Sequence, residues 1–245
     1  MQSSEVNISK KKILVIIPAY NEQECISNTI EKLKNDCPWA SYIVVNDCSK
    51  DNTVNILDNN RYSYLSLGSN LGIGGAVQTG YKYALLENYD IAIQIDGDGQ
   101  HDTAYLKDVI KPICDGECDI AIGSRFIDKK GFQSSFFRRL GINLLNSCIF
   151  ITTGFSIKDC TSGFRAVNKE FIKLYASDYP IDYPEPEAIV MALMNGARIK
   201  EIPVVMKERS GGQSSIRPIH SLYYMIKVSL SIFICRIGNS KKRRK

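Results

Sequence analysis

The chain predicts an α/β fold with a mostly parallel central sheet, and three observations carry that expectation. Short apolar runs alternate with helix-periodic segments through the first half. Polar clusters recur at the carboxyl end of those runs. The 245 residues, 44% of them hydrophobic, can bury one substantial core.

Taken in order, residues 13–17 read as a strand and residues 22–33 as a helix. Residues 42–45 form the second expected strand, followed by a short helix over 51–57. A third strand is expected over 62–67. The helix after it, over 73–86, rests on the spacing of Ala76, Val77, Gly80, Tyr81, Ala84 and Leu85. Residues 91–95 and 120–122 supply two more strands, with a helix over 105–113 between them. Such alternation implies parallel strands joined by right-handed crossovers, with ligands beyond the strand carboxyl ends. The second half is less regular. Residues 136–151 are apolar but interrupted by Arg138 and Arg139, 163–167 and 199–205 read as strands, and 187–194 as a helix ending near Gly196.

Asp96-Gly97-Asp98 follows directly on the apolar run over 91–95. Two carboxylates at a strand end, with glycine between and after them, are poor core residues. Spaced i, i+2, they suit a hard divalent cation that keeps positions open for phosphate oxygens. A calcium loop is the rival reading, but it wants glycine at its sixth position and glutamate at its twelfth, where this chain has His101 and Lys107. The residues therefore point to a metal-dependent transferase using a phosphate-bearing activated donor. Gly72-Ile73-Gly74-Gly75 does not complete a dinucleotide fingerprint, since Val77 stands where its third glycine belongs.

Charge argues against a nucleic-acid partner. Lysines and arginines number 31 against 26 acidic residues, a surplus supplied by the five basic residues 241–245, so the body is neutral. A basic tail on a neutral body suits an anionic membrane surface, or is simply solvated. The eight cysteines show no CxxC pairing, and two histidines make a zinc site a poor fit, so reduced thiols in a cytoplasmic setting are expected. No apolar segment reaches membrane-spanning length, and the N-terminus does not read as a signal peptide.

Six segments together resemble the family 2 glycosyltransferases. They are Pro18-Ala19-Tyr20-Asn21-Glu22, Val45 to Thr53, Asn70 to Gly80, Asp96 to His101, Gly123-Ser124-Arg125-Phe126 and Asp159 to Arg165. Within that family the set is most similar to the dolichol-phosphate mannosyltransferases and bacterial polyprenyl-phosphate hexosyltransferases. The resemblance implies a GT-A, Rossmann-like fold over residues 1–215, with residues 216–245 as an amphipathic membrane-interface helix and basic tail. It implies that Pro18, Tyr20, Glu22, Asp47 and Gly75 line the nucleotide site. Asp96, Asp98 and Gln100 would hold Mg²⁺ or Mn²⁺. Asp96, Asp98, Arg125, Arg139 and Arg209 form the implied catalytic set. Arg138, Asp159, Arg165, Glu185 and Glu187 would meet the acceptor or the sugar. For Asn21 and Ser49, capping and turn roles weigh equally with ligand contact.

The expected reaction is transfer of a hexose (glucose, N-acetylglucosamine or mannose) from a UDP- or GDP-linked donor to a polyprenyl phosphate, with inversion. A lipid phosphate, with a second pKa of about 6, is already charged and needs no base. A polysaccharide hydroxyl acceptor would need one, and Glu185 and Glu187 are the candidates. A non-catalytic nucleotide-sugar-binding partner in a membrane assembly is the reading from another class. Residues 222–234, apolar with polar breaks and followed by Arg236, suit a helix lying in the interface. The chain is thus expected peripherally at the cytoplasmic face of the cell membrane, with a small membrane protein as a further candidate partner.

Overall fold

The structure, a computed structural model of the chain, describes residues 8, 10–128, 130–131, 136–182, 184–207 and 227–232. Its strands are β1 (Ile13–Ala19), β2 (Ser41–Asn46), β3 (Tyr64–Ser66), β4 (Ile91–Gln94), β5 (Ile120–Ser124), β6 (Arg165–Asn168) and β7 (Ile199–Pro203). The helices are α1 (Ile26–Asp36), α2 (Thr53–Asn59), α3 (Gly72–Leu86), α4 (Leu106–Cys114), α5 (Phe136–Thr153), α6 (Lys169–Ser177) and α7 (Pro184–Met194). The strands form one sheet in the order β3-β2-β1-β4-β6-β5-β7. Strands β1 to β4 run parallel, as do β5 and β7, whereas β6 runs antiparallel to both of its neighbours.

Helices cover both faces of this sheet, which is why its central strands are continuous apolar runs. Along β1, Leu14 and Ile16 face a cluster containing Val77 and Tyr81 of α3, Leu145 of α5 and Ile189 of α7. Ile13, Val15 and Ile17 face the other cluster, with Ile30 of α1, Leu57 of α2 and Ile110 of α4. Every residue of β1 is buried. Each such aliphatic side chain removed from water contributes about 1.5–3 kcal/mol, so β1 anchors the fold from both sides.

Two expected boundaries are corrected, and one unassigned stretch is a helix. Helix α1 begins at Ile26 instead of residue 22, because the preceding residues are drawn into a loop whose Asn21 has φ +56°. The stretch after β6, for which the sequence offered no element, is α6, which Asn168 opens by accepting a hydrogen bond from the Phe171 N–H at 3.1 Å. The last strand ends at Pro203 on the sheet edge, a position where a missing N–H is tolerated. Residues 227–232 are helical and bury Val228 and Ile232 in the first cluster, so these two side chains face protein; Leu230 is exposed. The expected boundary at residue 215 and the basic tail lie outside the described residues. Among the described residues no helix is long and apolar enough to cross a membrane.

Candidate active site

The loops leaving β1 and β2 are laced together by side chain to backbone hydrogen bonds. The Asn21 N–H donates to Ser49 Oγ at 3.0 Å, and the Lys50 N–H donates to Asn21 Oδ1 at 2.8 Å. Glu22 N–H donates to Thr53 Oγ1, and Gln23 N–H donates to Asp51 Oδ2. Asn21 and Ser49 thus serve the turn. This leaves Tyr20 exposed, Pro18 buried beneath it and Glu22 half-buried at the same end of the sheet. Asp47 is almost fully buried, and its Oδ1 accepts the Leu71 N–H at 2.7 Å at the head of α3. One of the carboxylate oxygens expected to meet a nucleotide is therefore engaged by the protein. Gly75 lies on the first turn of α3. Its neighbour Gly74 is required by close approach: a Cβ there would stand 2.1 Å from the Pro180 carbonyl oxygen.

Asp96-Gly97-Asp98 sits where β4 leaves the sheet, held by α1, by its own turn and by the segment after β7. Thr29 of α1 donates its hydroxyl to the Gly97 carbonyl at 3.0 Å. The Gln100 N–H donates to Asp98 Oδ1 at 3.0 Å, and the Gln100 carbonyl accepts the Lys207 N–H. The Asp96 N–H donates to His101 Nδ1 at 2.9 Å. Below the turn, Asp102 takes ion pairs from Lys32 at 2.9 Å and Lys207 at 3.0 Å. Burial pushes the Asp102 carboxyl up, but those two lysines outweigh it and hold the pKa down at about 2. Asp98 is 4% exposed, whereas the Asp96 side chain is 36% exposed. Gly163 leaves the space beside it: a Cβ there would lie 3.1 Å from Asp96 Oδ1.

At the end of β5, Arg125 and Asp159 form a buried pair. Asp159 Oδ2 accepts Arg125 Nε at 2.7 Å and the Arg125 N–H at 3.1 Å, and Oδ1 accepts Nη2 at 2.6 Å. Burial opposes the Arg125 charge; the hydrogen bonds and charge of Asp159, with Asp96 behind them, outweigh it and raise the guanidinium pKa. The Phe126 ring carries two guanidinium groups, Arg125 and Arg139, each 5.2 Å from its centroid. The structure thus brings two of the five expected arginines together.

Two expected acceptor residues are corrected. Asp159 and Arg165 have no exposed surface. Arg165 donates to the Ser162 carbonyl through Nε and Nη2 and to the Glu185 carbonyl through Nη1. A guanidinium sealed among Tyr81, Tyr175 and Tyr179 cannot reach a phosphate; it ties the loop after Asp159 to the start of α7. Glu185 and Glu187 occupy the first turn of α7. Burial raises the Glu187 pKa, against a hydrogen bond with Ser231 and the charge of Lys227 that lower it. Arg209 lies outside the described residues, as does the side chain of Arg138.

Sequence reasoning passed over Thr29 and Gln94. Gln94 is fully buried two residues before Asp96, and neither of its amide atoms has a partner among the described residues. The Ser124 hydroxyl at the end of β5 is left in the same state. Nothing in the apolar run over 91–95 except its one polar residue signalled this. Hard oxygen donors at Asp96 and Asp98, one of them accessible, fit a divalent ion. Among the described residues no three histidine, cysteine or carboxylate groups converge as a closed cage. An ion bound here would need ligand oxygens to complete its shell, which fits a diphosphate as co-ligand.

The model of "Glycosyl transferase family 2" matches residues 14–175. The uncharacterized protein MJ1222 of Methanocaldococcus jannaschii is 35% identical over 83% of this chain and 85% of its own length. The UDP-N-acetylglucosamine–dolichyl-phosphate N-acetylglucosaminyltransferase of Methanococcus voltae is 32% identical over 80% of this chain and 86% of its own. The polyprenol monophosphomannose synthase of Mycolicibacterium smegmatis is 28% identical over 89% and 86%. Among solved structures, glucosyl-3-phosphoglycerate synthase from Mycobacterium tuberculosis, in complex with Mn²⁺, UDP-glucose and phosphoglyceric acid, superposes with a TM-score of 0.73. That likeness, at 17% identity over 97% of this chain and 83% of the other, shows a shared GT-A-like fold.

Proposed function

The chain belongs to glycosyl transferase family 2, and on that premise we propose that it moves a hexose from a nucleotide diphosphate sugar to a polyprenyl phosphate. The observation that carries the acceptor assignment is the Phe126 ring with Arg125 and Arg139 against it, Arg125 lying within the field of Asp96. Asp159 already meets the Arg125 charge, so Arg139, the more accessible cation on the ring, is left to pair with an anionic headgroup. The donor side is the opposite edge of the same site, where Tyr20 offers an exposed ring to a base and Glu22 and Asp47 lie below it.

Asp96 and Asp98 would hold Mg²⁺ or Mn²⁺ against the donor diphosphate, and Gln100 would accompany them. When bound, the ion neutralises the negative charge that develops on the leaving group. The residues of the chain do the rest. Asp98 is fixed by the Gln100 N–H, so its carboxylate keeps one orientation without reorganising. Arg125 is fixed by Asp159, which leaves Arg139 as the more accessible of the two cations beside Phe126. The acceptor phosphate, already charged, attacks the anomeric carbon in line with the departing diphosphate. Glu187 shares a hydrogen bond with Ser231, and an acceptor phosphate that is already charged leaves it no proton to remove.

Membrane contact is assigned to α5. Leu140, Leu144 and Ile151 are exposed at helical spacing along one face, with Phe150 beside them. Such a face suits the hydrocarbon border of a bilayer and would bring the lipid headgroup toward Arg139 on the same helix.

The Glu185→Gln and Glu187→Gln variants test the acceptor class. With polyprenyl phosphate, both are expected to keep transfer rates within about threefold of the parent, since no base is used. Loss of a general base would slow transfer about 10²–10⁴-fold. A loss of that size in either variant, with unchanged thermal stability, would favour a hydroxyl acceptor instead.

A further inference from the structure

His101 closes the acidic turn on itself. Its Nδ1 accepts the Asp96 N–H at 2.9 Å, and its Nε2 stands 3.7 Å from Asp96 Oδ2. The ring is 5% exposed and lies nearly parallel to Phe164, with centroids 5.0 Å apart and planes at 19°. His101 and Met206 are also joined as an isolated antiparallel bridge. These contacts hold the ring by one face, by its Nδ1 edge and through its backbone.

The hydrogen bond at Nδ1 settles which nitrogen carries the proton. A nitrogen that accepts an N–H has its lone pair in use, so the proton of the neutral imidazole is on Nε2. That N–H faces the Asp96 carboxylate across 3.7 Å, too far for a hydrogen bond but close enough for attraction. On the other side, Gly163 brings only backbone to Asp96. The Asp96 amide is thus held, and its carboxylate stands near the His101 imidazole and within reach of the Arg125 charge.

We propose that His101 is a positioning residue for Asp96, one imidazole gripping its backbone amide through Nδ1 and aiming its carboxylate through Nε2–H. The role rests on the reading of Asp96 as a cation-holding residue and extends it to the group that sets its geometry. His101 does not touch the ion or the sugar. Partners that orient a metal-holding side chain characteristically change metal affinity about 10–100-fold when removed.

The test is Mn²⁺ binding to the purified chain with UDP and with GDP in turn, followed by electron paramagnetic resonance or titration calorimetry, so that turnover is not the readout. His101→Phe keeps the stack on Phe164 and removes both nitrogens; Mn²⁺ affinity is expected to fall about 10–100-fold. His101→Asn restores an acceptor near the Nδ1 position, and His101→Gln restores a donor near Nε2. Each is expected to bind Mn²⁺ more tightly than His101→Phe and less tightly than the parent. That partial, two-sided rescue is the signature of positioning; if His101→Phe fails to fold, the Asn and Gln variants are read against the parent alone, and weaker Mn²⁺ binding is expected in each. Parent-like Mn²⁺ affinity in the Asn and Gln variants would overturn the proposal. Absence of Mn²⁺ binding in the parent itself would overturn the cation reading beneath it, a result visible before any variant is made.

Discussion

Asp98→Asn is expected to slow sugar transfer about 10²–10³-fold while leaving the fold intact. The substitution is nearly isosteric. Asparagine retains an Oδ1 that can accept the Gln100 N–H, so the turn after β4 keeps its closing hydrogen bond. What is lost is one negative charge from a side chain that is 4% exposed. In that setting a charge acts on a bound cation through little screening water, and its loss is correspondingly large. Steady-state kinetics with saturating donor, beside a melting curve, separate the two consequences. A rate loss below tenfold at full occupancy would remove Asp98 from the account of leaving-group stabilisation.

Arg125→Met is expected to destabilise the fold by about 3–5 kcal/mol, because it strands the Asp159 carboxylate without its cation. Asp159 has no exposed surface, and its two oxygens accept three N–H groups of Arg125. One of those is the backbone N–H, which the variant retains and which cannot by itself neutralise a buried charge. The double variant Arg125→Met, Asp159→Leu should recover most of that stability, since an apolar pair of similar volume avoids desolvating two charges. Transfer activity should stay low in both. Urea denaturation gives the stabilities, and recovery of folding without recovery of activity would separate the structural role of the pair from its role beside the acceptor. Equal instability of the single and double variants would mean that the pair is not what holds this loop.

The sequence disclosed the sheet well because β1, β2 and β4 are buried on both faces and therefore read as continuous apolar runs. It disclosed the turns after them because glycine and carboxylate at a strand end have few structural uses. The start of α1 was hidden, since its displacement depends on hydrogen bonds to Ser49, Asp51 and Thr53, 28 to 31 residues away. The reversed strand β6 was equally hidden. Local pattern does not record direction, and β6 owes its sense to where α5 and the following loop deliver the chain. Asp159 and Arg165 were misjudged for a related reason. Both stand in a motif segment and both carry charge, but burial is a tertiary property, and only the packing around them shows that each is consumed internally. His101 was visible as a neighbour of the acidic pair, yet its grip on Asp96 spans a turn whose closure no spacing rule predicts.

The most direct test of the proposed transfer is to incubate the full chain with polyprenyl phosphate and radiolabelled nucleotide sugars, with Mn²⁺ or with excess chelator. The expected result is an organic-soluble labelled lipid formed from one donor, lost on chelation and restored by added metal. Label that reaches no lipid with any UDP- or GDP-linked hexose, or that reaches it equally in the presence of chelator, would contradict the cation-assisted transfer assigned to Asp96 and Asp98.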